Sequence, residues 1–389
     1  RWADARKLGF EKLKEYEVFR DKGDPKRGAK YPAGYIKIRI HIVYDVKNDG
    51  RHRARVVAGG HLTPEPTESV YSGVVTLRGM KTVIFLAELN GHEIYNTDIS
   101  SAYLESYTTE KVFIIGGPEF EELEGHILII DKALYGLRFS GKLFGELLFE
   151  ILEDQGFKPS KAEPQIWMRP TPGEDGYEYV ATYVDNLLLA MKDPQGFIKI
   201  LESKPYCLKF KGTSKIDFHL GADFGRDPSG TLYMSPRRYI ERIEETYEKF
   251  FGEKPKRNVS SPLEDNDHPK LDTSELVDDE GRARYQTLIG QMQWAVSIGR
   301  FDITTALMTM SSFRTMPRDG HMDRVKRMIG YLQKYKHYCI RFCTDMPDFS
   351  SLSNDAANWD FTVYKDEKEI LPQDAPKPRG KPVCINQLL

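Results

Sequence analysis

Between Tyr35 and Asp45 isoleucines alternate with polar residues: Ile36, Ile38, Ile40 and Ile42 against Lys37, Arg39 and His41. A period of two marks a strand with one buried face, so Tyr35–Asp45 is predicted as a half-buried strand. Lys47-Asn48-Asp49-Gly50 would turn it, and Arg53–Ala58 would return beside it with cations along one face. Ahead of this hairpin a short helix is expected over Ala3–Phe19, then a loop through Asp21–Gly34. Val74–Asn90 has helical spacing and ends at Asn90-Gly91. His92–Asp98 reads as a strand, Ile99–Glu105 begins another element, Lys111 to Lys132 forms a hairpin, and Gly141–Gly156 is a long helix. Tyr177–Ala181 and Thr182–Met191 form an apolar strand–turn–strand centred on Asp185-Asn186. A further hairpin pairs Asp217–Phe224 with Thr231–Met234 around Asp227-Pro228-Ser229-Gly230. The spacing then turns helical over Pro236–Phe251, Ala283–Ile298, Ile303–Arg314 and Gly320–Tyr335. Gly252–Gly281, polar, Pro-rich and acidic, is expected to be a linker or surface excursion. Beyond Pro347 the pattern weakens, and Pro372–Pro382 reads as an extended tether. No internal repeat is evident, and the whole implies an α+β body followed by a helical subdomain.

Composition adds limits. A chain of 389 residues implies two or three subdomains, and its 40% hydrophobic and 12% aromatic content excludes a wholly disordered polymer. No apolar run approaches a membrane span and no signal peptide opens the sequence. The chain starts at Arg1 rather than Met, as a piece cut from something longer would. Cys207, Cys339, Cys343 and Cys384 are too scattered for a disulfide scaffold and are expected to be reduced core thiols of an intracellular protein, with Cys339 and Cys343 one helical turn apart. The net charge of -2 conceals two basic blocks. Residues 1–60 hold 16 Lys/Arg against 8 Asp/Glu, and Arg314 to Arg341 hold 8 against 2. Such blocks would line a groove for phosphates, or else be ordinary solvated faces balanced by acid elsewhere.

Two carboxylates stand out by context. Asp98 leaves an apolar strand, and Asp185 tips a hairpin with apolar arms. Alone, each is a turn former or helix cap. If their strands are neighbours, both would emerge at one sheet edge and could hold two Mg²⁺ ions for phosphoryl transfer. Spacing leaves that adjacency open.

The wording around these two positions resembles the reverse transcriptases of copia-type retrotransposons. Tyr183-Val184-Asp185-Asn186-Leu187-Leu188 is similar to the Tyr-x-Asp-Asp box, and Thr97-Asp98-Ile99-Ser100-Ser101-Ala102-Tyr103-Leu104 to the first metal motif. Arg53–Ala58, Tyr71–Val75, Lys132–Arg138, Phe218–Gly221, Tyr285–Gly290, Arg300–Ile303 and His321–Leu332 resemble further landmarks in the same order, across about residues 35–345. The resemblance implies a right-hand polymerase: fingers, a ferredoxin-like palm and a helical thumb, followed by a helical connection-like subdomain. Residues 1–34 would be an N-terminal extension, 35–235 fingers and palm, 236–345 the thumb and connection region, and 346–389 an extended tail truncated at the start of a ribonuclease H domain. It implies RNA-directed DNA polymerase activity, with two Mg²⁺ ions (or Mn²⁺) held by Asp98 and Asp185 and the Ile99 carbonyl as an extra ligand. Tyr103 would be the steric gate selecting dNTPs, Arg55 the cation pairing with the triphosphate, and Lys37, Arg39 and Arg53 weaker nucleic-acid contacts. Phe218–Met234 would be the primer grip. Partners would be an RNA or DNA template with its primer, dNTPs and other segments of a parent polyprotein, within a cytoplasmic virus-like particle or the nucleus and without membrane.

Three departures matter. Asn186 replaces the second Asp of the box, removing one negative charge, so activity with Mg²⁺ is expected to be weak. Arg138-Phe139-Ser140-Gly141 stands where relatives have Lys-Gln-Ser-Pro, which changes the floor of the nucleotide pocket. The metal-binding Asp of ribonuclease H has no counterpart, so that activity is not expected. The alternative reading is a catalytically decayed nucleic-acid-binding module that keeps the fold.

Overall fold

A computed structural model describes residues 1–46, 50–173 and 176–345. The proposed tail and tether, Cys384 and the turn residues 47–49 lie outside the described residues. In chain order come α1 (Trp2–Glu15), β1 (Phe19–Asp21), β2 (Ile36–Lys37), β3 (Ile40–Val46), β4 (His52–Ala58), α2 (Leu77–Asn90), β5 (Glu93–Ile99), β6 (Val112–Ile115), β7 (Ile127–Ile130) and α3 (Ser140–Asp154). Then follow β8 (Lys158–Pro159), β9 (Ile166–Pro170), β10 (Tyr177–Tyr183), β11 (Asn186–Met191), α4 (Pro194–Glu202) and β12 (Phe210–Lys215). The rest is β13 (Phe218–His219), β14 (Ala222–Arg226), β15 (Leu232–Ser235), α5 (Arg237–Phe251), α6 (Asp279–Ile298), α7 (Thr304–Ser311), α8 (Asp319–Lys334) and β16 (Ile340–Arg341). The α+β class is as expected.

Contacts divide the chain into two compact units. The first comprises Arg1–Gly79, Thr97–Thr171 and Glu178–Thr213; the second comprises Met80–Asn96, Pro172–Tyr177 and the described residues from Ser214 onward. The acidic residues ride on a six-stranded sheet ordered β12-β5-β11-β10-β9-β8. Its centre is apolar on both faces: Leu187 to Met191 of β11 and Val180 and Ala181 of β10 are all buried. That double burial explains why these strands read as continuous apolar runs rather than alternations. A second sheet, β1-β7-β6-β2, packs its apolar face with Phe10 and Leu13 of α1 in a core that also takes Val56, Ala58 and Leu104.

The expected strand over Tyr35–Asp45 is two strands. β2 pairs parallel with β6, whereas β3 pairs antiparallel with β4, so the chain changes sheets near the buried Ile38. Alternation survives such a switch, which is why it was invisible in the sequence. β4 is fixed from below by two glycines. A Cβ on Gly136, at φ +91°, would fall 2.1 Å from the Ala58 carbonyl oxygen, and one on Gly60 would fall 2.2 Å from that of Gly136. The Ala58 amide donates to the Tyr135 carbonyl across the same joint (2.7 Å). Arg138 completes it, donating to the Gly60 and Thr63 carbonyls.

In the second unit α5, α6, α7 and α8 bury a common core around Tyr247, Tyr285, Met292 and Met328. The segment expected as a linker is instead strapped to α8. Arg324 donates to both Asp267 carboxylate oxygens (2.8 and 3.0 Å) and to Asp272 (2.5 Å), and Arg327 reaches Glu264 (3.1 Å). Lys336 pairs with Glu241 and Arg341 with Asp227. The basic block of 314–341 is therefore largely neutralised within its own unit, which fits the second of its two readings, a face balanced by acid elsewhere. Cys207, Cys339 and Cys343 are free, as expected, but exposed rather than in the core, and the last two flank β16 rather than a helical turn.

Candidate active site

β10 and β11 form a tight hairpin, with Tyr183 opposite Asn186 and Val184-Asp185 as the two-residue turn. Such turns require positive φ at the first central residue, and Val184 adopts φ 56°. A β-branched side chain is unfavourable there, so the turn carries backbone strain at the tip that presents Asp185. β5 runs beside β11, and the Ile99 amide donates to the Asp185 carbonyl (2.7 Å). Asp98 and Asp185 are thereby brought to neighbouring strands at one place.

Their electrostatics agree with the geometry. Burial pushes the Asp185 carboxyl above the usual range, and the charge of Asp98 pushes it further, opposed by Lys211 and Arg53. Asn186 Nδ2 donates to Asp185 Oδ1 (3.2 Å). The Lys211 ammonium pairs with Asp98 Oδ1 at 2.5 Å, and among the described residues that buried oxygen has no hydrogen-bond donor besides. A buried carboxylate oxygen that faces one ammonium beside a second carboxylate suits a hard divalent cation in that ammonium's stead. Among the described residues no group of three or more His, Cys, Asp or Glu converges as a metal cluster. The residues thus fit carboxylate-bound Mg²⁺ in kind, with one carboxylate fewer than the Tyr-x-Asp-Asp box would supply.

Around this pair stand the other predicted residues. Tyr103 is half-buried, its ring 4.8 Å from Tyr135 and 6.3 Å from Phe144. Burial and then the charge of Asp185 raise the pKa of both tyrosine hydroxyls. Arg53 and Arg55 alternate with buried Ala54 and Val56 on β4, so both point to one side. Arg53 is the one whose charge acts on Asp185; Arg55 lies 3.7 Å from Asp45, and its buried Nε has no hydrogen-bond partner among the described residues. Ile99 is fully buried and serves through its backbone. Lys37 and Arg39 do not join the group: they wall a cleft of about 740 Å³ with His41 and His61, to which neither carboxylate contributes. Lys211 and Tyr135 were missed. Tyr135 lay inside a recognised motif, but nothing in the sequence pairs β12 with β5, so Lys211 gave no signal.

A family model described as reverse transcriptase (RNA-dependent DNA polymerase) matches residues 27–252. The chain belongs to this family. The putative transposon Ty5-1 protein YCL074W of Saccharomyces cerevisiae (strain ATCC 204508 / S288c) is 26% identical over 249 residues, covering 63% of this chain and 78% of that protein. The retrovirus-related Pol polyprotein from transposon TNT 1-94 of Nicotiana tabacum is 26% identical over 331 residues, 80% of this chain and 24% of the polyprotein. That from transposon RE1 of Arabidopsis thaliana is 25% identical over 287 residues, 72% of this chain and 19% of the polyprotein. This reverse transcriptase region thus spans less than a quarter of the plant polyproteins it matches. Among solved structures, the foamy viral protease–reverse transcriptase in complex with double-stranded DNA aligns over 82% of this chain and 46% of that one, with TM-score 0.42 and 14% identity. The copia-type recognition stands, and with it the polymerase class by family. No helix among the described residues is long and apolar enough to cross a membrane.

Proposed function

We infer that this chain adds dNTPs to a primer 3′ end on an RNA or DNA template, weakly with Mg²⁺ because of Asn186. The observation that carries this is the 2.7 Å bond from the Ile99 amide to the Asp185 carbonyl, which supports a common acidic site from two distant motifs. Asp98 and Asp185 would hold the two Mg²⁺ ions, with Mn²⁺ as substitute. When bound, divalent cations lower the pKa of an attacking hydroxyl and neutralise charge on the transferred phosphoryl group. The chain's own residues do the rest. Arg53 and Arg55 present guanidinium forks for the triphosphate. Tyr103, braced by Tyr135 and Phe144, offers a rigid wall against a ribose 2′-hydroxyl. The Asn186 amide orients the Asp185 carboxylate without charging it. Residues 35–235 would act as fingers and palm, Phe218–Met234 as primer grip, and 236–345 as thumb and connection region.

A second reading is favoured by one observation. Lys211 beside Asp98, together with neutral Asn186, leaves the site with a formal charge of about -1, counting two carboxylates against one ammonium. A decayed module that binds nucleic acid without chemistry would show that balance. Primer extension on poly(rA)/oligo(dT), in Mg²⁺ and then in Mn²⁺, separates the two. Extension that is abolished in both Asp98→Asn and Asp185→Asn variants supports the polymerase; no extension by the unaltered chain in either metal, with template–primer still bound, supports the module.

A further inference from the structure

α1 lies outside the segment matched by the family, which begins at residue 27. It is nonetheless built into the site. Trp2 packs edge-on against Tyr44 and His52, at 5.2 and 4.2 Å, and Gly9 lets the helix approach the Ala54 carbonyl of β4. Its C-terminal end is fastened to the segment that follows Asp98: the Tyr16 hydroxyl donates to Glu105 (2.9 Å) and lies 3.3 Å from the Ser100 carbonyl. Glu15 pairs with Lys209, whose ammonium also lies 4.9 Å from the centre of the Tyr16 ring. The Ser100 amide in turn donates to the Lys209 carbonyl (2.7 Å).

Lys12 stands three and four residues before Glu15 and Tyr16, hence on the same face of α1. With Gly9 of that helix against Ala54 of β4 and Glu15 on Lys209, Lys12 sits between Arg53 of β4 and the Lys209–Lys211 stretch at the start of β12, beside Asp98. Four cations from three elements gather there, two of them paired, Lys209 with Glu15 and Lys211 with Asp98, and burial, then the like charges, lowers the Lys12 pKa. Clustered like charges of this kind are costly unless a polyanion occupies them. We propose that Lys12 is a phosphate ligand contributed by the N-terminal helix, which with Arg53 and Lys209 binds the triphosphate of the incoming nucleotide. The nucleotide is favoured over the template backbone because the cluster adjoins the carboxylate pair, where the reacting phosphate must lie. This assignment rests on the polymerase reading.

The test is equilibrium binding of dTTP to the full chain bound to poly(rA)/oligo(dT), with Ca²⁺ in place of Mg²⁺ to prevent turnover. Lys12→Gln should weaken dTTP about tenfold, the worth of one charge-assisted contact, and leave template–primer affinity unchanged. Lys12→Arg should restore most of the loss. Lys14→Gln, at a cation that pairs with Glu121 instead, should bind as the unaltered chain does. Equal dTTP affinity in Lys12→Gln overturns the assignment alone, as does weakening confined to template–primer. Failure of the unaltered chain to bind dTTP overturns the polymerase reading and this assignment with it. Lys12 is exposed, so matching thermal melts would exclude misfolding as the cause.

Discussion

Asn186→Asp restores the second carboxylate of the box, a third for the site, and should move stability and activity in opposite directions. In the unaltered chain the Asn186 amide donates to Asp185 at 3.2 Å, a bond to a charged acceptor worth about 1.5–3 kcal/mol. Aspartate forfeits it and adds a like charge beside a carboxyl whose pKa is already raised by burial and by Asp98. At about 4 Å and an effective dielectric of about 20, that repulsion is about 4 kcal/mol. Lys211 and Arg53 offset much of it, so the expected net loss without divalent metal is about 2 kcal/mol or more. With Mg²⁺ the sign reverses. A carboxylate that would hold the divalent cation, which in turn neutralises the transferring phosphoryl group, is worth about 3–4 kcal/mol at the transition state, or about 10²–10³ in rate. The assay is a pair of measurements: thermal melting in EDTA and across a Mg²⁺ titration, and single-nucleotide extension in Mg²⁺ and Mn²⁺. The variant should melt lower in EDTA, gain more from Mg²⁺ than the unaltered chain, and extend faster. The unaltered chain should recover part of the difference in Mn²⁺. A variant as stable as the unaltered chain in EDTA and no faster in Mg²⁺ would refute the charge argument.

Three further outcomes are expected. Arg324→Ala should cost the second unit about 3 kcal/mol or more by stranding Asp267 and Asp272, and Arg324→Lys should recover little because one ammonium cannot reproduce the fork; urea unfolding measures both. His219 is buried and its pKa is lowered to about 4, against about 6.5 when unfolded. The unfolded chain then binds the extra proton between those values, so stability is full above pH 6.5 and falls by about 3 kcal/mol as pH drops to 4; His219→Gln should flatten that slope in urea midpoints taken across the window. Tyr103→Ala should relax discrimination against ribonucleotides on the order of 100-fold, read as the ratio of kcat/KM for dTTP and rUTP on the same primer, with an unchanged ratio counting against the wall.

Much of this was legible in the chain. The helices from Arg237 to Lys334 fell close to their predicted places because amphipathic spacing is local and the caps are explicit, as at Asn90-Gly91 and Phe251-Gly252. The hairpin at Asp185 was equally plain, since two apolar arms around a polar tip admit few other folds. What failed was non-local. Ile38 keeps its alternation while the backbone leaves one sheet for another, and the acids at 264–272 look like solvated linker until Arg324 is seen across from them. α4 and β12 were passed over altogether, so Lys211, whose role depends on the pairing of β12 with β5, could not be placed. The site's two aspartates were readable from their motifs, but the cations around them depend on strand neighbours that composition does not record.

The paired glycines under β4 have a consequence for how this molecule can change. The space that a Cβ on Gly60 would need is held by the Gly136 carbonyl, and the space at Gly136 by the Ala58 carbonyl, so what they join is main chain to main chain. Such a joint transmits position without depending on any side-chain identity above it. Arg53 and Arg55 can therefore be exchanged, one at a time, with the strand held in place, whereas a methyl group at either glycine would shift the whole guanidinium-bearing edge.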